Sequence, residues 1–138
     1  MPSWIEFHDS VLTAVNQSAE AREILLDAYV HRWEKFGNQW RGTGWEQPVR
    51  IRMQNAVGSE ALPVLPAEIS DGELRASGLT QGTLLPVPFE SSGDCGLLLR
   101  LVGGSTIDIN GRGLQVEALG SGRFIENLPE DMRPTPGG

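Results

Sequence analysis

Three segments of this chain change polarity at every residue. Val49, Ile51 and Met53 alternate with Arg50, Arg52 and Gln54; Ile107 and Ile109 alternate with Thr106 and Asp108; and Leu114, Val116 and Ala118 alternate with Gln115 and Glu117. Successive side chains of an extended strand point to opposite sides, so this period of two gives one buried and one wet face. An α-helix would scatter the same residues around its circumference. A richer apolar run, Leu97 to Val102 with Arg100 as its one charge, reads as a central strand.

Turn residues separate these runs. Gly103-Gly104-Ser105 follows the apolar run, and Asn110-Gly111-Arg112-Gly113 divides the last two alternating segments. Asn-Gly supplies the positive φ angles of a tight hairpin, so the carboxy-terminal half reads as an antiparallel meander. A further short strand is expected over Arg123 to Glu126, and an edge strand over Gly72 to Ala76. The proline-rich stretches 62–66 and 85–89 are expected at edges or in loops, because proline lacks a ladder donor. With 17 glycines and 9 prolines spread along 138 residues, many short elements are favoured over a few long helices. The expected fold is all-β: a two-sheet antiparallel sandwich or flattened barrel of about eight to ten short strands, with at most a short helix. Residues 1–128 would form one domain, and 129–138 a disordered Pro/Gly-rich tail.

Charge and composition narrow the function classes. The net charge of -7 opposes the cationic surface that displaces counterions from nucleic-acid phosphates, and it suits a basic protein partner. No apolar stretch approaches the ~20 residues of a membrane helix, and the first residues lack a secretory pattern, so a cytoplasmic location is expected. One cysteine, Cys95, excludes an intrachain disulfide and a multi-cysteine zinc site. It reads as an ordinary buried thiol.

Residues 18–37 admit two readings. As a helix, the segment has Ser18 as a cap, Gly37 as a stop, and an apolar face of Ile24, Leu25, Ala28, Tyr29, Trp33 and Phe36. As a strand, Ile24, Leu26, Ala28 and Val30 oppose Leu25, Asp27, Tyr29 and His31. The opening Phe7-His8-Asp9-Ser10-Val11-Leu12, followed by Ile24-Leu25-Leu26, resembles the start of a group of small bacterial proteins, some grouped with immunity proteins of toxin systems. That resemblance implies a β-hairpin here and a toxin-neutralising partner, and it transfers no catalytic residue.

Two groups of residues are candidates for chemistry. Trp33, Trp40 and Trp45 lie with Phe36 among Asn38, Gln39 and several glycines. Indoles beside amides are what a carbohydrate-binding module uses, although aromatics folded under a loop to close the core are commoner. The second group is metal-binding. If Ser18 to Ala21 turns a hairpin, Val15 faces Ile24, Thr13 faces Leu26, Val11 faces Ala28 and His8 faces His31. Glu6 then completes a His8, His31 and Glu6 set for a divalent metal in a metal-dependent enzyme. The adjacent His8, Asp9 and Ser10 cannot form a hydrolase triad, since neighbouring strand residues point apart. No glycine pair precedes a Walker lysine. No cofactor is expected, and the leading reading is a non-enzymatic interaction protein.

Overall fold

A computed structural model of the chain describes residues 3–58, 63–77, 79 and 84–130, and these are built from strands. In chain order they are β1 (Ser3–Gln17), β2 (Ala21–Phe36), β3 (Gln39–Gln54), β4 (Val57–Gly58), β5 (Ala67–Ala76), β6 (Leu84–Pro86), β7 (Phe89–Leu101), β8 (Thr106–Ala118) and β9 (Arg123–Leu128). The all-β expectation holds. Six strands close on themselves in the antiparallel order β5-β1-β2-β3-β8-β7, with β7 returning to β5. Closure removes the open edges that a flat sheet would expose. β4, β6 and β9 add to β8, β1 and β3 respectively. The described residues contain no helix long and apolar enough to cross a membrane. Of the carboxy-terminal tail expected from the sequence, residues 131–138 lie outside the described part.

Residues 21–36 form a strand, not a helix. The strand reading wins because Ile24, Leu26, Ala28 and Val30 all point into the barrel and are at most 2% exposed. They meet Val49, Ile51 and Met53 of β3, Leu114 and Val116 of β8, and Leu97 and Leu99 of β7 in one core. The β2–β3 ladder runs from Ala21↔Gln54 to Phe36↔Gln39 without interruption. Its turn is Gly37-Asn38, with Gly37 at φ 61°, the positive angle that the first central position of a type II′ turn requires.

The carboxy-terminal meander is simpler than the turn residues suggested. Asn110 to Gly113 is not a hairpin; β8 runs straight through it. Inward residues are odd-numbered before it (Ile107, Ile109) and even-numbered after it (Leu114, Val116), all at most 2% exposed. Gly113, at φ 85°, sits where the parity switches. The ladder with β7 is irregular at the same place, between Ser91 and Asp94. An Asn-Gly word in a bulged strand carries the same local signal as one in a turn. The edge strand expected at 72–76 is the second half of β5, which lies between β1 and β7.

β1 has the corresponding irregularity. Its inward residues are Ile5 and Phe7, then Ser10 and Leu12, and Asp9 at φ 75° sits at the switch. The register against β2 shifts there and again next to Thr13. Val15 faces Ile24 as expected, but the bulges place Leu12 opposite Leu26, Val11 opposite Asp27, and Trp4 opposite His31.

Candidate functional site

Those bulges separate the two histidines. His31 is 3% exposed and its Nε2 lies 2.8 Å from Glu6 Oε2. His8 stands on the surface, its Nδ1 3.2 Å from the Ser70 carbonyl oxygen on β5. The facing-imidazole arrangement of His8 and His31 is therefore corrected: the simple hairpin register omitted the extra residues that β1 inserts. Glu6 does join His31, but His8 does not. Among the described residues no group of three or more His, Cys, Asp or Glu is placed to hold a metal ion.

The tryptophans do not share a platform. Trp33 is fully buried on the outer side of β2, its ring lying over Gly42, where an added Cβ would come within 2.5 Å of it. Trp40 and Trp45 are half-buried on opposite sides of β3, since Trp40 pairs with Lys35 and Trp45 with Val30. Asn38 and Gln39 are exposed at the hairpin turn. A sugar stacked on one of the two accessible indoles would not reach the other.

The outer side of the barrel around Tyr29 brings together residues that the sequence reading left apart. The phenol lies across Gly44 of β3; a Cβ at that glycine would sit 2.2 Å from its oxygen. Beyond Gly44 stands its ladder partner Glu126 on β9, which hydrogen-bonds the phenol. Glu6 is opposite Tyr29 on β1, and the Asp9 bulge adds a third carboxylate. Burial, then Glu126, Glu6 and Asp9, push the Tyr29 hydroxyl up to about 12. The His31 ring meets the Tyr29 ring edge-on at 5.3 Å.

Ser10 holds this geometry. It is 1% exposed, donates from Oγ to the Glu6 carbonyl oxygen at 2.6 Å, and accepts from the Tyr29 amide at 3.0 Å. The hydroxyl takes the place of ladder hydrogen bonds that the bulge removes. Ser10 is thus engaged in structure through one local and one cross-strand backbone bond.

One step further along the same side, Asp27 and Glu46 share a hydrogen bond. Burial and that bond, reinforced by the charge of Glu46, raise the Asp27 carboxyl above its ordinary range, against the pull of Arg123. The same bond and Arg123, whose Nη2 is 2.6 Å from Glu46 Oε2, hold Glu46 low. Asp27 is the member of the pair that takes up a proton first. Two carboxyls brought this close resist double ionisation, a sign of negative potential. Further toward the other end, Arg50 and Arg52 lie among Glu23 and Glu117 and neutralise them. Around Tyr29, Arg123 acts on Glu46 and Asp27, while Glu126, Glu6 and Asp9 gather at the phenol, with His31 Nε2 2.8 Å from Glu6 and His8 Nε2 3.6 Å from Asp9.

The sequence contained one trace of it. In the strand reading of residues 24–31, Asp27, Tyr29 and His31 already alternate away from the apolar side. Glu46, Glu126 and Asp9 carried no such signal, because they arrive from other strands. Comparison with protein-family models, with curated proteins and with solved structures gives no match to this chain.

Proposed function

We propose that this chain is a non-enzymatic interaction protein that takes a basic partner on the acidic outer face centred on Tyr29. The observation that carries the reading is the convergence on one half-buried phenol of Glu126 beyond Gly44, Glu6 opposite Tyr29 and Asp9 at the bulge. A guanidinium or ammonium placed there would relieve carboxylate repulsion and gain charge-assisted hydrogen bonds. Asp9 supports it further. A non-glycine residue at φ 75° costs conformational energy, and such residues cluster at binding sites. Its side chain is 60% exposed, beside a cleft of about 280 Å³ that also reaches Glu68 and Val102. The immunity-type role implied by the Phe7-His8-Asp9 opening, in a bacterial cytoplasm, is compatible with this face, since Asp9 lies on it, with His8 exposed beside it and Phe7 anchoring the segment in the core.

The test uses titration calorimetry with a short arginine-rich peptide. The double variant Asp9→Asn, Glu126→Gln should weaken binding about tenfold or more, the scale of two charge-assisted contacts. The control Glu90→Gln, Asp94→Asn, on β7, should change it less than about twofold. Equal losses in the two variants would mean that net charge alone attracts the peptide, and the proposal would fail.

A further inference from the structure

The inward side of β2 and β3 continues past the apolar core to one mouth of the barrel, where Arg32 lies. Its guanidinium stacks on the Trp45 ring, 4.2 Å from the centroid. Arg32 Nη2 donates to Gln47 Oε1 at 2.9 Å, and Gln47, only 7% exposed, is pinned in turn by donating from Nε2 to the Gly120 carbonyl oxygen at 3.0 Å. An added Cβ at Gly122 would come within 3.1 Å of Arg32 Nη2, so a bare glycine backbone borders the guanidinium. No carboxylate among the described residues pairs with Arg32, whereas Arg50, Arg52, Arg100, Arg112 and Arg123 each have one.

This half-buried cation lines a cleft of about 310 Å³ together with Ser3, Gln47, Val87, Pro88 and Ala118. Its walls are preformed. Val87 donates its amide to the Ser3 carbonyl oxygen at 3.0 Å, and Leu119 donates to the Pro48 carbonyl oxygen at 2.8 Å. A fixed guanidinium at one side and a Val-Pro-Ala wall at the other make an amphipathic site of small-ligand size.

We infer that the barrel mouth is a binding site for a small organic carboxylate. The anion would accept from N–H groups of Arg32 that no described residue uses, and the apolar body would pack on Val87, Pro88 and Ala118. A planar fork matches a carboxylate in two-point geometry. A single cation within a chain of net charge -7 selects a monoanion over a phosphate or other multiply charged group. The site lies on the inward side of the hairpin, opposite the acidic face, and does not depend on the function proposed for that face.

The test is an amide and side-chain NMR titration of the full chain with phenylacetate and its uncharged analogue phenylacetamide. At millimolar concentrations, the range suited to so small a probe, phenylacetate should shift the Trp45 indole N–H and the amides of Val87, Phe89 and Ala118. Phenylacetamide should bind at least about tenfold more weakly. Arg32→Gln should erase that difference. Ala118→Phe fills the cleft at an exposed position without touching the guanidinium; it should cut phenylacetate binding about tenfold with an unchanged melting temperature. The inference is overturned by equal binding of the two probes, by shifts confined to other surfaces, by no shift at about 10 mM, or by charge discrimination that survives Arg32→Gln. A tripeptide ending in phenylalanine that binds tenfold tighter than phenylacetate would also overturn it, by making the site a reader of peptide termini.

Discussion

Ser10 shows how one hydroxyl can decide the shape of a strand. It satisfies both the Glu6 carbonyl and the Tyr29 amide across the β1 bulge, in a site closed to water. Ser10→Ala leaves both backbone groups without that partner, and the expected loss is about 1–3 kcal/mol. Urea unfolding should show it as a lower midpoint with an unchanged slope. Tyr29 is the second decisive residue, and as the single tyrosine it can be followed by ultraviolet difference titration. Its hydroxyl should ionise near pH 12 in the folded chain, and Glu126→Gln should bring that value down toward the ordinary 10.0. The folded state keeps the proton that the unfolded state releases above pH 10. Stability contributed by the neutral phenol is therefore complete below pH 10 and is lost as the pH rises toward 12. The alternation along residues 24–31 already put Tyr29 on the outer side of its strand. Nothing in the sequence indicated that Glu126, nearly a hundred positions away, would be its partner.

At the scale of elements, the β2–β3 hairpin is where local signals are most ambiguous. Local signals at Ser18 and Gly37 suit a helix as well as a hairpin, because serine and glycine serve both helix caps and turns. The strand prevails through its neighbours: Ile24 to Val30 fill the barrel only when extended. The glycines of β3 have a packing reason. Gly42 admits the ring of Trp33, so Gly42→Ala should cost about 1–3 kcal/mol by overpacking. Combining it with Trp33→Leu should recover part of that loss, giving a coupling energy that a double-mutant cycle in denaturant would measure. The Asn-Gly word at Asn110-Gly111 suits a turn but lies inside β8. Turn chemistry and bulge chemistry ask for the same backbone angles, and only the strand alongside distinguishes them.

At the scale of the whole molecule, the barrel is closed by unequal seams. β2 and β3 are paired along their full length, whereas β1 meets β5 in register only at Val11↔Glu68 and Leu12↔Ala67. Native-state hydrogen exchange should find the amides of that seam exchanging well before those in the middle of the β2–β3 ladder. Equal protection along both seams would contradict this. The narrow seam lies beside the Asp9 bulge, so the weakest part of the wall borders the proposed binding face. What the sequence determined by itself is the class of structure and part of its core. Alternation with period two is a property of the backbone and survives any arrangement of strands, so the inward residues of β3 and both ends of β8 were legible from order alone. Tertiary structure decided the register, the closure and the sites. Bulges shift a ladder by inserting residues that no local pattern marks. The carboxylates around Tyr29 and Arg32, which no carboxylate among the described residues pairs, acquire their meaning from strands far away in sequence, because electrostatic energy depends on distance in space.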